Sequence, residues 1–373
     1  MIYADNAATT PIDPNALELM IEIQRRFFGN ASEPYKFARP LKKILRESRE
    51  LIAECIGADA EEIVFTSGGT ESDNHAIKSV ALANLRQSPH LITSAIEHHA
   101  VLNSCAAMEN LGCEVTRLPV DRQGRIRKES LVDAIQSNTK LISIMLANNE
   151  VGSIQPISEL AEIAHSNGIL FHTDAVQAVG HIPIDVKALN VDMLSASGHK
   201  FNAPKGIGFF YIRKGLALQP YMNGGGQEFG RRAGTENVPA IAAMALALKN
   251  NCAELETNAK KLHALANSIV RELRDHGVDF IRNGAEDGLP GLLSLSFGNI
   301  EGETLLHRLD LRGICVATGS ACNADRTEIS HVLEAMHVER EYAVGTIRIS
   351  LGKNNSAWDA SEIARAIIEI TVD

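Results

Sequence analysis

The sequence predicts an α/β protein, with a mostly parallel, doubly wound sheet in a large domain and a smaller α+β domain at the C-terminal end. Three observations predict this class. Short apolar runs alternate with amphipathic segments between residues 62 and 213, a long helical tract follows at residues 238–275, and strand-like runs separated by helices come last. The length of 373 residues also exceeds what one hydrophobic core usually organises, so we expect two domains.

Seven apolar runs are the predicted strands of the large sheet. Amphipathic stretches such as residues 131–135 and 157–165 separate most of them, which is the pattern of β-α units whose strands are buried on both faces. The seven runs lie at residues 62–66, 90–95, 114–118, 141–147, 169–173, 193–196 and 208–212.

The tract at residues 238–275 predicts a long helix that connects the two domains, and its second half is heavily charged. The strands predicted for the small domain lie beyond it, at residues 292–297, 314–317 and 346–351. We expect residues 14–255 to form the large domain, and residues 1–13 together with 256–373 to form the small one.

The charge balance and the cysteine spacing argue against several classes of function. Lys and Arg number 36 against 46 Asp and Glu, a net charge of −10, and no basic cluster suited to a phosphate backbone is present, so we expect no direct nucleic-acid binding. The N-terminus lacks a basic and apolar signal, and no apolar run approaches about 20 residues, so we expect a cytosolic protein without a membrane segment. The six cysteines form no C-x-x-C pair, and no metal site is predicted.

Polar and glycine-rich residues follow three of the predicted strands, at the place where open α/β sheets bind their ligands. Residues 66–72 (TSGGTES) open a helix, so their backbone N–H groups suit a phosphate. Asp174 ends a buried run, where a carboxylate needs a cationic partner. Lys200 follows another buried run, where desolvation lowers the pKa of an amine and leaves it able to attack a carbonyl carbon.

Each of these features has a simpler explanation when it is taken alone. The glycine pair could be a turn with a Ser or Thr cap, Asp174 could cap a helix, and Lys200 could be a solvated surface lysine. Together, however, they supply what pyridoxal phosphate requires: an anion site, a carboxylate for the pyridinium nitrogen and an amine for the Schiff base. The combination therefore predicts a pyridoxal phosphate site.

Eight segments carry a resemblance to a known family. They are residues 5–11 (DNAATTP), 65–74 (FTSGGTESDN), 97–101 (EHHAV), 148–152 (NNEVG), 172–177 (HTDAVQ), 197–200 (SGHK), 224–237 and 319–322 (GSAC). In their order and spacing, and across essentially the whole chain, the sequence resembles the cysteine desulfurases of the NifS/IscS-like type. These are class V aminotransferases, and their fold is that of the fold type I pyridoxal phosphate-dependent transferases. The resemblance implies a seven-stranded, mostly parallel sheet in the large domain.

The resemblance also implies a set of site residues. Lys200 would bind the cofactor covalently, and Cys322 would be the nucleophile that takes the sulfur of L-cysteine. The other implied roles are Asp174 at the pyridine nitrogen, Gln177 and Asn149 near the phenolic oxygen, His98 stacked on the ring, Asn149 and Arg348 at the substrate carboxylate, and Gly69, Thr70, Ser197 and His199 at the phosphate, joined by Thr235 of the other subunit. A homodimer with shared sites follows from this last role.

Three of these residues also have simpler interpretations. His98 could be a core or helix-start histidine, although it comes just after a predicted strand. Arg348 lies in an apolar alternation, where a strand-face salt bridge is the alternative to carboxylate binding by its planar fork. A free cysteine is usually a small buried hydrophobic residue, but Cys322 lies in the small and polar stretch 318–327, which predicts an exposed loop suited to a sulfur carrier. The other five cysteines lie in helical patterns or beside strands, and we expect them to be packing residues.

The sequence therefore predicts a cysteine desulfurase that converts L-cysteine to L-alanine and delivers persulfide sulfur to an acceptor protein, either an iron–sulfur scaffold or a tRNA-thiolation enzyme. A selenocysteine lyase or an ordinary class V aminotransferase is the alternative within this fold, and a catalytically dormant interaction module of a sulfur pathway is the alternative outside it. The chain departs from the family pattern at residues 31–35 (ASEPY), near the expected pocket mouth, and at Ile329, where a proline is common. The first departure bears on substrate access and preference.

Overall fold

A computed structural model describes residues 1–319 and 329–372 of the chain. Within these residues the strands are β1 (Ile2–Tyr3), β2 (Ile63–Thr66), β3 (His90–Ser94), β4 (Glu114–Leu118), β5 (Thr139–Ser143), β6 (Leu170–Asp174), β7 (Met193–Ser197), β8 (Gly208–Ile212), β9 (Phe280–Asn283), β10 (Leu292–Phe297), β11 (Ile314–Cys315) and β12 (Thr346–Ser350). The helices are α1 (Pro14–Arg26), α2 (Arg39–Ile56), α3 (Gly69–Ala83), α4 (His99–Glu109), α5 (Lys128–Ala134), α6 (Ile157–Ser166), α7 (Val186–Leu189), α8 (Val238–Asp275), α9 (Gly302–Asp310), α10 (His331–Ala335), α11 (Arg340–Val344) and α12 (Ala357–Thr371).

Seven strands form the large sheet in the order β2-β8-β7-β6-β5-β3-β4. Strand β8 runs antiparallel to both of its neighbours, and the other adjacent pairs are parallel. Most residues of β2, β3, β5, β6, β7 and β8 are buried, as expected for strands covered by helices on both faces. The predicted fold class, a mostly parallel seven-stranded sheet with a smaller α+β part, is confirmed.

A second, antiparallel sheet has the order β12-β10-β9, and the short β1 pairs with β11 in parallel. Helix α8 has the predicted bounds and serves two hydrophobic clusters: Ala240 to Leu248 pack with the large sheet, and Leu262 to Leu273 pack with β10, β12 and α12. The division into residues 14–255 against residues 1–13 and 256–373 stays a prediction. No helix in the described part of the chain combines the length and the apolarity needed to cross a membrane.

Local sequence signals set the ends of several helices. Asp13 caps α1 because its Oδ1 accepts the N–H groups of Asn15 and Ala16, and Pro14 stands at the first helical position. Helix α2 ends at Gly57, whose φ of 71° suits glycine. Helix α3 begins at Gly69, directly after β2, so its free N–H groups lie at the carboxyl edge of the sheet.

Candidate active site

The predicted site residues converge on one cavity of about 250 Å³ at the carboxyl ends of β2, β6 and β7. The cavity is lined by Gly69, Thr70, His98, Asn149, Asp174, Gln177, Ser197, His199, Lys200 and Arg348 among the predicted residues, and by Ala7, Ala8, Asp73, Met145, Ala147 and Val176 in addition. Two predicted residues stand apart. Thr235 lines a separate cavity that Ser67 also lines, and Cys322 lies outside the described residues.

The anion cradle forms where β2 turns into α3. Gly68 has a φ of 149°, a conformation that side chains rarely adopt, and a Cβ at Gly69 would overlap Cγ2 of Val176. The N–H groups of the first turn of α3 have no acceptor within the helix. Ser197 and His199 line the same cavity, and His199 Nδ1 contacts Thr9 Oγ1 at 3.2 Å, which leaves its Nε2 available. This combination of N–H, hydroxyl and imidazole donors fits a phosphate.

Lys200 reaches the cavity from the turn that follows β7. Its Nζ donates to the backbone carbonyls of Ala7 at 2.6 Å and Ala8 at 2.9 Å, so the N-terminal segment holds the amine in place. Burial lowers the pKa of Lys200 to about 8, and the positive charge of Arg348 adds to this effect against the opposing charges of Asp174 and Asp5. An amine with this pKa has a neutral, nucleophilic fraction of about a tenth at pH 7, far more than an ordinary lysine.

Asp174 is the last residue of β6 and is only 4% exposed. Its Oδ1 accepts the N–H of Val176 at 2.9 Å. Burial raises the pKa of Asp174 to about 6, while that hydrogen bond and Lys200 act in the opposite direction. The simpler interpretation, a helix-capping aspartate, does not apply because no helix begins after β6 until α7 at Val186. A buried carboxylate in a cavity beside an amine suits a protonated ring nitrogen.

His98 precedes α4 and caps it. Its Nδ1 accepts the N–H of Ala100 at 3.1 Å, so a neutral ring carries its proton on Nε2. Burial, together with Lys200, His99 and His331, lowers the pKa of His98 to about 4, so the ring is neutral at physiological pH. His98 therefore both caps α4 and lines the cavity, and its stacking on the cofactor ring stays a prediction.

Arg348 lies in β12, and its side chain contacts two other segments of the chain. One terminal nitrogen donates to the Asn149 carbonyl at 3.0 Å and the other to Asp5 Oδ1 at 2.8 Å. The salt bridge that was the alternative to carboxylate binding is therefore present, and its partner is Asp5. The Nε of Arg348 is buried and has no hydrogen-bond partner among the described residues, and the side chain still borders the cavity. Gln177 likewise lines the cavity and already has a partner within the protein, since its Nε2 donates to the Ala7 carbonyl at 2.8 Å.

Sequence reasoning missed Asp73 and the two carbonyls that hold Lys200. Asp73 had a usable signal, because it stands four residues after Gly69 and so shares that face of α3. The carbonyls of Ala7 and Ala8 had none, since any residue carries a backbone carbonyl. As a whole the donor set fits pyridoxal phosphate: a phosphate cradle, an amine of lowered pKa, a buried carboxylate and a neutral imidazole.

Comparisons with known proteins agree with this chemistry. The family model described as aminotransferase class-V matches residues 2–363. The cysteine desulfurase IscS of Methanosarcina thermophila is 47% identical over 369 residues, covering 99% of this chain and 91% of that relative. The putative cysteine desulfurase IscS 1 of Bacillus subtilis is 44% identical and covers 99% of this chain and 98% of its own.

Two solved structures are also similar. A NifS-like protein superposes with a TM-score of 0.93 at 40% identity, covering 99% of this chain and 98% of its own. A structure described as SspA in complex with cysteine has a TM-score of 0.84 at 38% identity, covering 94% of this chain and 99% of its own. Since sequence and structure match over nearly the full length, the chain belongs to the cysteine desulfurases of the class V aminotransferase family.

Proposed function

We propose that the chain binds pyridoxal phosphate at Lys200 and converts L-cysteine to L-alanine, with the sulfur left as a persulfide on Cys322. The observation that carries this proposal is the cavity at the strand ends, where an amine of lowered pKa, a buried carboxylate and an anion cradle meet. In balanced form, L-cysteine and the Cys322 thiol give L-alanine and the Cys322 persulfide, so no external oxidant or reductant is needed.

Different residues of the chain would hold different parts of the cofactor. Gly69, Thr70, Ser197 and His199 would hold the phosphate, His98 would lie over the ring, and Asn149 and Gln177 would face the phenolic oxygen. When bound, pyridoxal phosphate supplies an electron sink for the bonds at the substrate Cα. Asp174 keeps a negative charge in position for the ring nitrogen, which favours the protonated, electron-withdrawing ring.

Two groups at the cavity can move protons. The lowered pKa of Lys200 lets its Nζ accept a proton from the substrate Cα and return it. His98 is neutral and carries a proton on Nε2, since Nδ1 is engaged by Ala100, so it can donate at that atom. Asn149 and Arg348 would orient the substrate carboxylate, which must share Arg348 with Asp5.

Sulfur transfer is assigned to Cys322. Its thiolate attacks the substrate sulfur, a sulfur–sulfur bond forms, and the bond between Cβ and sulfur breaks with its electron pair remaining on the carbon, which is then protonated. The acceptor of the persulfide sulfur, an iron–sulfur scaffold or a tRNA-thiolation enzyme, and action in the cytosol also remain proposals.

The test compares Cys322→Ala with Cys315→Ala, a neighbouring cysteine as the matched control. We expect Cys322→Ala to keep the cofactor absorbance and its change on adding L-cysteine, and to lose persulfide and sulfide formation. The Cys315→Ala variant should keep all three. Full desulfuration of L-cysteine by Cys322→Ala would contradict the proposal, and so would a first persulfide mapped to another cysteine. Residual alanine formation from selenocysteine by Cys322→Ala would be compatible, since selenium leaves more readily than sulfur.

A further inference from the structure

Asp73 is a buried carboxyl group of the cavity wall that the proposed mechanism does not use. It lies on α3, one helical turn after the phosphate cradle, and is 1% exposed. It borders the same cavity as Asp174. Its Oδ1 is buried and has no hydrogen-bond partner in the described part of the chain. Such a buried oxygen is costly unless the group is paired or neutral.

The histidine beside Asp73, His172, does not supply a positive charge. His172 Nε2 lies 3.7 Å from Asp73 Oδ1, beyond hydrogen-bond distance. The two ring nitrogens of His172 contact Ser143 Oγ at 2.8 Å and Ser195 Oγ at 2.9 Å, and the ring is fully buried. Burial lowers the pKa of His172 to about 3, so the imidazole is neutral. Among the described residues, Asp73 therefore has a neutral histidine beside it and forms no ion pair with a charged group.

Two other buried carboxyl groups face Asp73, and both have better donors. Glu97 accepts the Ser94 hydroxyl at 2.5 Å and the Met145 N–H at 3.0 and 3.1 Å. Asp174 accepts the Val176 N–H, and the cation of Lys200 also stabilises its charge.

The donor facing Asp73 is the Ser195 hydroxyl, which is already in contact with His172. Burial first, and then the charge of Asp174, raise the pKa of Asp73 well above its ordinary value. Of the two aspartates on this wall, Asp73 is the one whose ionised form is less stabilised.

We propose that Asp73 is a positioning residue that carries a proton, so that the negative charge offered to the ring nitrogen is confined to Asp174. This inference rests on the proposed function, because it assigns Asp174 to that nitrogen. An ionised Asp73 would repel the Asp174 carboxylate and make Asp174 harder to ionise. A protonated Asp73 would carry no charge, like the neutral His172 side chain beside it and the Ser143 and Ser195 hydroxyls that contact His172.

The first test uses protein without cofactor, so that it does not depend on the proposed catalysis. Aspartate labelled with carbon-13 at the side-chain carboxyl shifts the infrared bands of aspartates and leaves those of glutamates unchanged. We expect the wild type at neutral pH to show a protonated aspartate band that is absent from Asp73→Asn. Glu97→Gln is the matched control, because burial also raises the pKa of Glu97, to about 8, and its loss should leave the labelled band in place.

The second test exploits the fact that asparagine resembles a neutral aspartic acid in shape and charge. The Asp174 titration, followed by the same infrared label, should keep its midpoint in Asp73→Asn to within about twofold in proton affinity. Cofactor affinity should also be retained in Asp73→Asn and fall several-fold in Asp73→Ala, which opens a void in the cavity wall.

Three results would overturn the proposal. They are the absence of a protonated aspartate band from folded wild type, a shift of the Asp174 midpoint by about tenfold or more in Asp73→Asn, and loss of cofactor affinity in Asp73→Asn equal to that in Asp73→Ala. Thermal melting identifies any variant that fails to fold, and the wild-type band decides the case without a variant. If the proposed function alone were wrong, no lysine adduct would form at Lys200, yet the infrared results would stand.

Discussion

Burial shifts the pKa values of several side chains in the cavity, and the shift at Lys200 has the largest effect on reactivity. Its pKa falls from 10.5 to about 8, first through desolvation and then through Arg348. The folded protein thus binds fewer protons at this amine than the unfolded chain between about pH 8 and pH 10.5, and this group's contribution to stability rises with pH through that window.

The lowered pKa predicts the pH profile of adduct formation. The rate at which protein without cofactor forms a borohydride-trapped adduct with pyridoxal phosphate should rise with a midpoint near pH 8, because the neutral amine is the nucleophile. Mass spectrometry should map the adduct to Lys200, and Lys200→Ala should lose it. A midpoint near pH 10.5, or an adduct on Lys205, would show that burial does not activate this amine.

Between elements, a buried ion pair connects α2, β2 and the segment that leads to Thr235. The two terminal nitrogens of Arg49 each donate to Glu228 at 2.7 Å, and Glu228 also accepts the Phe65 N–H at 2.8 Å. The side chains are 8% and 2% exposed. Both residues are therefore desolvated, and removing one leaves the other with an uncompensated charge.

We expect Arg49→Met to lower the free energy of unfolding by about 3–5 kcal/mol, since the buried Glu228 carboxyl would lose the partner of its ion pair. The double variant Arg49→Met with Glu228→Gln should regain part of that loss, which a double-mutant cycle in urea would measure. Lys43→Ala, which removes one member of the exposed pair with Glu47, should cost less than about 1 kcal/mol. Equal losses of unfolding free energy in Arg49→Met and Lys43→Ala would show that breaking the buried pair costs no more than breaking the exposed one.

Strands β8 and β10 pair on both edges, are fully buried and have the predicted bounds. Helix α8 and the partly exposed edge strand β4 also have the predicted bounds. Strand β9 was missed because it pairs only with β10 and is partly exposed, so it has no apolar run. Strand β1 was missed because its two residues pair with β11, more than 300 positions away. The strand predicted at residues 141–147 stops pairing with β3 after Ser143, although the Leu146 N–H still donates to the Asp174 carbonyl.

The cavity as a whole is assembled from distant parts of the chain. The N-terminal segment supplies the carbonyls for Lys200 and the carboxylate for Arg348, and Arg348 comes from the second sheet. Strand ends were predictable as ligand-binding positions from β-α order alone. The pairing of Asp5 with Arg348 was not, because it joins residues 343 positions apart and depends on how the two sheets are placed.

We expect Thr235 to act at a site formed with a second copy of the chain. It is exposed and lines a different cavity from Lys200 in its own chain. Nearby apolar side chains are exposed too, including Phe229 at 66%. These observations support the prediction of a homodimer in which Thr235 of each chain completes the phosphate site of the other.

A mixed dimer distinguishes shared sites from independent ones. One chain carries Lys200→Ala and the other carries Thr235→Asp, whose carboxylate would repel the phosphate, and the two chains are co-expressed with different tags. If Thr235 acts across the interface, one cavity receives both defects and the other receives neither, so the mixed dimer should show about half of the wild-type desulfurase activity and one lysine-bound cofactor per dimer. If Thr235 acts within its own chain, each cavity receives one defect, and the mixed dimer should be as inactive as either parent.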